Sequence, residues 1–452
     1  MATHTTDYLI IGNSAAGVTA AEHIRANDAR GTILVISNES YAAYGRPLIS
    51  YLVEGKTTEA RMDFKDAGFF EEHAIDTLLG PTYEAIRLDA DAHRVDLTNG
   101  DEVSYGKCLV ATGSVPFTPP IKGLEGKRNV FPFMTLDQAK EAWAAACTAT
   151  DTAHAENRSS RAVVIGGGLI GLKAAEALSH HVDDVVVLEL APRILPAVLD
   201  TEGAAVLQEL LAKRGVTCLP GITIEELRGV DGLVREALLT NGDILACDVV
   251  IAAVGVRPNS TLAVEADAEQ GRGLLVGTDL QTSLPDVYAA GDVTQVTDLL
   301  DGSQRPLALW PNAIRQGKTA GLFMANAVDA EPFVGNFAVN AVDFYDASLL
   351  TAGVINPPAD GGYEITTVAH GSVYAKFVTK SDCLTGYILL NRPANAGLYT
   401  ALIEQRVPLS SCTGDLFGEA PLNLDLPADT RWARLHKCYP SNLDERGWKE
   451  RA

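Results

Sequence analysis

Gly166-Gly-Gly-Leu-Ile-Gly171 follows the apolar run Arg161-Ala-Val-Val-Ile165 and leads into Leu172-Lys-Ala-Ala-Glu-Ala-Leu178. A short buried strand, a turn with glycine at its first, third and sixth positions, and a helix read as the first half of a β-α-β unit. Small residues in such a turn let the backbone approach a pyrophosphate, and the helix N-terminus supplies N–H donors and partial positive charge. The next strand, Val185-Val-Val-Leu188, runs into Glu189, 18 residues beyond Gly171. A carboxylate there suits the free ribose 2′-hydroxyl of NADH and repels the 2′-phosphate of NADPH. Arg193, four residues further on, works against that preference. Gly166, Gly168, Leu169, Ile170, Gly171 and Glu189 are the candidate contacts to this nucleotide.

The same grammar appears earlier. Asp7-Tyr-Leu-Ile-Ile11 is a strand, Gly12-Asn-Ser-Ala-Ala-Gly17 a turn, and Val18-Thr-Ala-Ala-Glu-His-Ile24 the continuation of a helix. Thr32-Ile-Leu-Val-Ile36 follows as the second strand, and Glu39 stands 22 residues beyond Gly17, placed to accept from a ribose diol. Ser14 occupies the middle glycine position, where its side chain either crowds the phosphates or donates its hydroxyl to them. Gly12, Ser14, Ala15, Ala16, Gly17 and Glu39 are the candidates at this first site. Three further segments fit the scheme. Leu109-Val-Ala-Thr-Gly113 and Val250-Ile-Ala-Ala-Val-Gly255 read as strands ending in a glycine that brings backbone close to a ligand. Thr278 to Asp292 reads as a strand whose terminal Asp292 binds the hydroxyls of a ribityl chain.

The chain has 452 residues, 47% of them hydrophobic, enough to bury two or three cores. Its net charge of −22 disfavours nonspecific binding to nucleic acid or anionic membrane. The absence of a long apolar run and of a signal-like N-terminus leads to the expectation of a cytoplasmic protein. Seven scattered cysteines with no C-x-x-C suggest neither a disulfide framework nor a metal site.

With these motifs in this order, the chain resembles the two-dinucleotide-binding-domain flavoproteins, the pyridine nucleotide-disulfide oxidoreductase superfamily, over roughly residues 5 to 400. The resemblance implies an α/β fold with two Rossmann-like domains, the NAD(P)-binding one inserted in the FAD-binding one, and a C-terminal α+β interface domain. It places FAD binding over 1–118 and 257–330, NAD(P)H binding over 119–256, and the interface domain with an extra tail over 331–452. It implies FAD contacts at Arg46, Ala111, Thr112, Gly113, Gly291, Asp292 and Trp310, with Gly255 a further cofactor contact. Trp310 either flanks the flavin or packs. The helix starting in Leu309-Trp-Pro-Asn-Ala-Ile is expected to point its N-terminus at the flavin. Tyr44-Gly-Arg-Pro-Leu-Ile-Ser50 and Gly171-Leu-Lys-Ala-Ala-Glu176 are most similar to NADH:rubredoxin reductases, to related reductases of small iron or iron–sulfur carriers, and to the flavin portion of assimilatory nitrite reductase.

Members of the superfamily that reduce disulfides carry a reactive cysteine shortly after the first unit. Residues 40–55 here contain no sulfur. Without a thiolate at that place, disulfide reduction and cysteine-sulfenate oxidase chemistry are excluded. Many relatives have a glutamate at position 173, paired with a lysine on the loop that here reads Leu48-Ile-Ser-Tyr51 and has no lysine. Lys173 thus reads as the one cation left of a dismantled pair, either stabilising reduced FAD as a catalytic residue or reaching to solvent. The tail carries Arg431, Arg434, Lys437, Arg446, Lys449 and Arg451 against Asp444, Glu445 and Glu450, with Trp432 and Trp448. It either docks an acidic carrier or packs as a terminal helix. The low-hydrophobicity stretch Thr148–Ser160 reads as a surface loop, and Ser372–Thr379 as a strand of an antiparallel sheet. The activity expected is hydride transfer from NADH to FAD, then electron transfer to a rubredoxin- or ferredoxin-type carrier. A flavin NADH oxidase, a redox-sensing scaffold and an electron-entry subunit of a larger complex remain as alternatives, and a homodimer is an open oligomeric reading.

Overall fold

The computed structural model describes residues 2–418 and 421–432. They divide into two compact units, Met1–Ile194 with Ala212–Phe337, and Leu195–Leu211 with the residues from Ala338 onward.

In the first unit the chain opens with β1 (Thr3–Ile11), helix α1 (Ala15–Asn27), β2 (Ile33–Ser37) and β3 (Ile75–Leu79), then the shorter β4 (Ala85–Asp89) and β5 (Arg94–Leu97) and the long β6 (Glu102–Val110). β1, β2 and β3 are parallel, and β6 pairs with β1 along its whole length. β1 is longer than the expected Asp7–Ile11 because Thr3–Thr6 pair with Glu102–Tyr105. A second sheet follows: β7 (Val130–Phe131), helix α2 (Leu136–Ala155), β8 (Arg161–Ile165), helix α3 (Leu169–Leu178), β9 (Asp184–Glu189), β10 (Val216–Pro220) and β11 (Val249–Ala252). Its order is β10-β9-β8-β11-β7, with every pairing parallel. The chain then returns to the first sheet, where β12 (Val287–Ala289) lies parallel to the end of β6. The second nucleotide-type sheet is thereby inserted in the first. Helix α4 (Trp310–Met324) closes this part of the chain.

Two expectations are corrected. Thr148–Ala155 is the last part of α2 and not a loop. A complete capping box at Thr135 and Gln138 starts that helix, and the Thr148 and Thr152 hydroxyls satisfy themselves on the Ala144 and Thr148 carbonyls. Ala149, Ala153 and Ala155 favour helix and outweigh the polarity of the threonines. Thr278–Asp292 is not one strand: only Val287–Ala289 is extended in a sheet, because Leu280 and Asp286 take left-handed backbone and Pro285 offers no N–H to a ladder.

The second unit joins helix Thr201–Ala212 to an antiparallel sheet of β13 (Val339–Phe344), β14 (Ala347–Gly353), β15 (Glu364–His370), β16 (Val373–Lys380) and β17 (Cys383–Leu390), followed by helix α5 (Ala396–Glu404). The spatial order is β13-β14-β17-β16-β15. The alternation read in Ser372–Thr379 is β16, and its Phe377 stacks on Phe417 at 4.5 Å and meets Tyr399 at 4.9 Å. Asp200, just ahead of the first helix of this unit, accepts from Tyr374 Oη at 2.6 Å, Lys376 Nζ at 2.9 Å and the Gly203 N–H at 2.9 Å. Among the described residues no helix is long and apolar enough to cross a membrane.

Burial works against the Asp200 carboxylate, but Tyr374, the Gly203 N–H and Lys376 outweigh it and hold its pKa below the ordinary carboxyl value. A carboxyl whose folded pKa is depressed stabilises the fold above its unfolded pKa and loses that contribution as pH falls through the folded one. Asp200→Asn should therefore unfold at a lower temperature than wild type at pH 7. The gap should begin to close below about pH 4. A gap that persists unchanged in acid would contradict this.

Candidate functional site

β1 enters its turn with the Gly12 N–H bonded to Ile36 O at 2.9 Å, while the Ala111 N–H bonds to Ile11 O at 2.8 Å. The three segments converge so closely that a Cβ on Gly12 would lie 2.1 Å from Ala111 O, and one on Gly17 2.0 Å from Gly12 O. No side chain fits at either place. α1 begins at Ala15 with Ser14 at its N-cap, and the Ser14 hydroxyl makes no bond to the helix. The first-turn N–H groups thus have no acceptor within the helix and face outward as an anion site. Beside them is Asn13, a residue missed from sequence. It is buried, donates through Nδ2 to Tyr41 O at 3.0 Å, and leaves Oδ1 buried without a partner. An orphaned acceptor of this kind is costly until a hydroxyl or water donates to it.

The remaining predicted residues of the first site gather around this turn through identifiable bonds. α4 packs backbone to backbone on α1, for a Cβ on Gly317 would stand 2.2 Å from Ala16 O. From α4, Gln316 Oε1 accepts the Gly291 N–H at 2.7 Å, which fixes Gly291-Asp292. Asp292 accepts from Ser114 Oγ at 3.2 Å, and burial raises its carboxyl pKa against the pull of Ser114 and Arg46. Glu39 accepts from Tyr44 Oη at 2.6 Å and from the Arg46 guanidinium. Its carboxylate is therefore held in one orientation. Trp310 meets Phe64 edge-on at 5.2 Å and packs on the core formed by Ala15, Ala16 and Ala111. Thr112 Oγ1 donates to Asn259 O at 2.7 Å, and Ser114–Pro116 pairs with Val256–Pro258. That ribbon carries Gly113 and Gly255 together, both with open space where a side chain would be.

The second turn repeats the geometry. A Cβ on Gly166 would lie 2.3 Å from Ala253 O, and one on Gly171 1.9 Å from Gly166 O. Gly168 is the N-cap of α3, faces open space and provides no capping side chain, so Leu169, Ile170 and Gly171 open the helix with free first-turn donors. Glu189 reaches into this turn: Oε2 accepts the Gly167 N–H at 2.7 Å and Oε1 the Ala191 N–H at 2.7 Å. Each oxygen keeps a lone pair for a ribose hydroxyl. Both cradles fit a dinucleotide.

Lys173 is not the one cation left of a dismantled pair: two carboxylates compensate it. Its Nζ lies 2.5 Å from Glu176 Oε2 and 3.1 Å from Glu54 Oε1, and 4.6 Å from the centre of the Tyr51 ring. Lys56 Nζ approaches Glu54 Oε2 at 2.5 Å and Glu176 Oε1 at 3.3 Å. Both glutamate side chains are fully buried. Burial works against the charge on Lys56, and Glu54 and Glu176 together raise its pKa above the ordinary value. A helix stop builds the arrangement. The short helix Ile49–Val53 ends with Gly55 at φ +75°, and the Lys56 N–H bonds to Tyr51 O at 2.8 Å and the Gly55 N–H to Leu52 O at 3.0 Å. This Schellman turn throws Glu54 and Lys56 to the same side, against α3. In sequence, the glycine at position 55 after the apolar run Leu48-Ile-Ser-Tyr-Leu-Val53 is the signal for this turn.

Among the described residues six cysteines are all free thiols. Cys108, Cys218 and Cys247 are buried, and burial raises each thiol pKa, to about 12 for Cys218 and Cys247. Cys147 is exposed on α2. Cys438 and the tail residues Arg434, Lys437, Arg446, Trp448, Lys449 and Arg451 lie outside the described residues; Arg431 and Trp432 lie within them.

Two sheets, one inserted in the other and each built on parallel strands that run into a glycine turn at a helix N-terminus, fit a flavoprotein oxidoreductase that uses a pyridine nucleotide. The chain belongs to the pyridine nucleotide-disulphide oxidoreductase family, whose match covers residues 6–317. It is 28% identical to the NADH-dependent phenylglyoxylate dehydrogenase subunit epsilon of Aromatoleum evansii, over 90% of this chain and 93% of that one. It is 33% identical to an NADH oxidase of Methanocaldococcus jannaschii, over 74% and 73%. With the rubredoxin-NAD(+) reductase of Acinetobacter baylyi it shares 27% identity over 90% and 98%.

Removing one member of a buried ion network leaves a partner uncompensated, whereas removing both can be nearly neutral. Lys173→Met should cost on the order of 3 kcal/mol in denaturant unfolding. Combining it with Glu54→Leu, which leaves Lys56 facing Glu176 alone, should restore most of the loss. A single variant as stable as wild type would contradict the network.

Proposed function

We propose that this chain takes hydride from NADH into bound FAD and passes the electrons on to a small one-electron protein carrier of the rubredoxin or ferredoxin type. The observation that carries the reading is the missing sulfur: residues 40–55 hold no cysteine, and the thiols of Cys108, Cys218 and Cys247 are buried with raised pKa values. The segment where disulfide-reducing members carry their thiolate has none to start a relay, which supports electrons leaving for another molecule. Similarity to a rubredoxin reductase along nearly its whole length supports the same direction.

In this reading Gly12–Gly17 and the start of α1 hold the FAD pyrophosphate, Glu39 its ribose, and Asp292 a ribityl hydroxyl, with Asn13 Oδ1 accepting from a second hydroxyl. The uncapped N-terminus of α4 favours negative charge on the ring. Bound FAD would supply the exchange between two-electron and one-electron chemistry. The second turn, with Glu189, selects NADH over NADPH through its carboxylate. Lys173 acts through the quartet with Glu54, Lys56 and Glu176, which links the segment after Arg46 to α3 and tunes the flavin potential. A Lys173→Met enzyme with the wild-type midpoint potential would contradict that role.

A second reading has its own support. The near full-length match to a dehydrogenase subunit favours a chain that feeds electrons from or to NADH inside a larger complex. The test is anaerobic reduction by NADH, then presentation of rubredoxin, ferredoxin and oxygen. Fast reoxidation by a carrier, at least roughly 100-fold above oxygen, fits the first reading, since each tenfold is about 1.4 kcal/mol of barrier. Oxygen consumption matching NADH oxidation would make the chain an oxidase. Tight NADH binding with slow turnover on every free carrier would favour the subunit. Glu189→Gln should reduce the kcat/KM preference for NADH over NADPH by roughly tenfold; an unchanged ratio would remove Glu189 from specificity.

A further inference from the structure

The chain passes from the first unit to the second between Ile194 and Leu195, inside the loop that joins β9 to helix Thr201–Ala212. The first half of that loop belongs to the second glycine turn. The Glu189 carboxylate accepts from the Gly167 and Ala191 N–H groups, the Gly221 N–H bonds to Ala191 O at 2.9 Å, and the Ile222 N–H bonds to Glu189 O at 3.1 Å. Ile194 is fully buried and lies against the turn itself, for a Cβ on Gly167 would stand 3.3 Å from its Cγ2. Leu190, next to the carboxylate, is 73% exposed, an apolar side chain without cover.

The second half of the loop is held by the C-terminal unit. Asn356, in the segment after β14, donates through Nδ2 to Pro196 O at 3.3 Å and to Leu199 O at 3.2 Å. Asp200 follows, and its two oxygens do different things. Oδ1 accepts the Gly203 N–H at the start of helix Thr201–Ala212, whereas Oδ2 accepts from Tyr374 Oη at 2.6 Å and Lys376 Nζ at 2.9 Å, both on β16. Lys376 is buried, so solvent ions screen this pair little. Between the two halves stands Leu195, also buried, with φ +48°. A leucine keeps left-handed backbone only where its surroundings impose it. Its carbonyl accepts the Val198 and Leu199 N–H groups at 2.9 and 2.8 Å, and the residues on its two sides are anchored in different units.

We propose that Lys376 and Asn356 are positioning residues for the adenosine half of NADH: by holding Pro196–Asp200 they set, through Leu195, the place of Ile194 and of the Glu189 segment. The inference rests on the reading that the second turn takes NADH with Glu189 at its ribose. A loop fixed at both ends has little freedom left to lose when the nucleotide binds, whereas one released at Asp200 must be ordered at the expense of affinity. Coupling of this kind is reciprocal, so bound nucleotide also steadies Pro196–Asp200.

The test is calorimetric titration of the oxidised, FAD-loaded chain with ADP-ribose, which carries adenosine and pyrophosphate but no nicotinamide, together with the rate of flavin reduction at saturating NADH. Lys376→Met should raise the ADP-ribose dissociation constant roughly tenfold, equivalent to about 1.4 kcal/mol. Asn356→Ala, at an exposed position that leaves the Asp200 pair intact, should raise it roughly threefold. The limiting rate of flavin reduction should stay within about twofold of wild type in both, since the binding lost is common to ground and transition states. If Lys376→Met does not fold, the Asn356→Ala result decides. A wild type that fails to bind ADP-ribose would remove the NADH reading of the second turn, and this inference with it. Wild-type binding with unchanged affinity in either variant would overturn the inference alone. So would a limiting rate that falls as far as the affinity does, the mark of a general loss of structure.

Discussion

The meeting of main chain with main chain at the N-terminus of α1 is the constraint on which the first unit depends. Gly12 lies against Ala111, Gly17 against Gly12, and Gly317 of α4 against Ala16, each at a separation that excludes a Cβ. Three segments distant in sequence can converge there only because each contact has a glycine on one side. The convergence leaves helix N–H groups, the Glu39 carboxylate and Asp292 aimed at one region, with charges and donors already oriented. Binding energy is then spent little on ordering the protein.

The second turn repeats this economy and adds a carboxylate, Glu189, held by two backbone N–H groups. Between the turns in sequence, the chain has spent charge differently. Four ionisable groups, two of them fully buried, form a balanced cluster joining the segment after Arg46 to α3. A buried pair of this kind is a poor source of stability but holds its elements in one arrangement. In the proposed function this places the cluster between the two cofactor sites, where fixed geometry serves hydride transfer.

Both glycine turns, their strands and their acids were legible because the signal is local: strand, turn, helix and acid fall within some thirty residues. The antiparallel character of the C-terminal sheet was legible from alternation in β16. What failed was non-local or ambiguous. Lys56 and Glu176 meet across 120 residues, and no spacing rule connects them. Asn13 was passed over because its importance lies in an acceptor left without a donor, which composition does not show. Thr148–Ala155 looked like a loop because threonine is polar, yet the Thr148 and Thr152 hydroxyls turn back on their own helix and that of Thr150 donates to His181 O. Thr278–Asp286 looked extended because left-handed residues carry no sequence mark when they are leucine and aspartate.

In the proposed function, electrons entering from NADH stop at the flavin, because residues 40–55 hold no cysteine to take them on. Anaerobic titration of the FAD-loaded protein with NADH, followed by the flavin absorbance, tests it directly. The account predicts complete bleaching at about one equivalent of NADH per flavin, with no charge-transfer band from a thiolate. An end point near two equivalents would reveal a redox-active thiol pair and contradict the account.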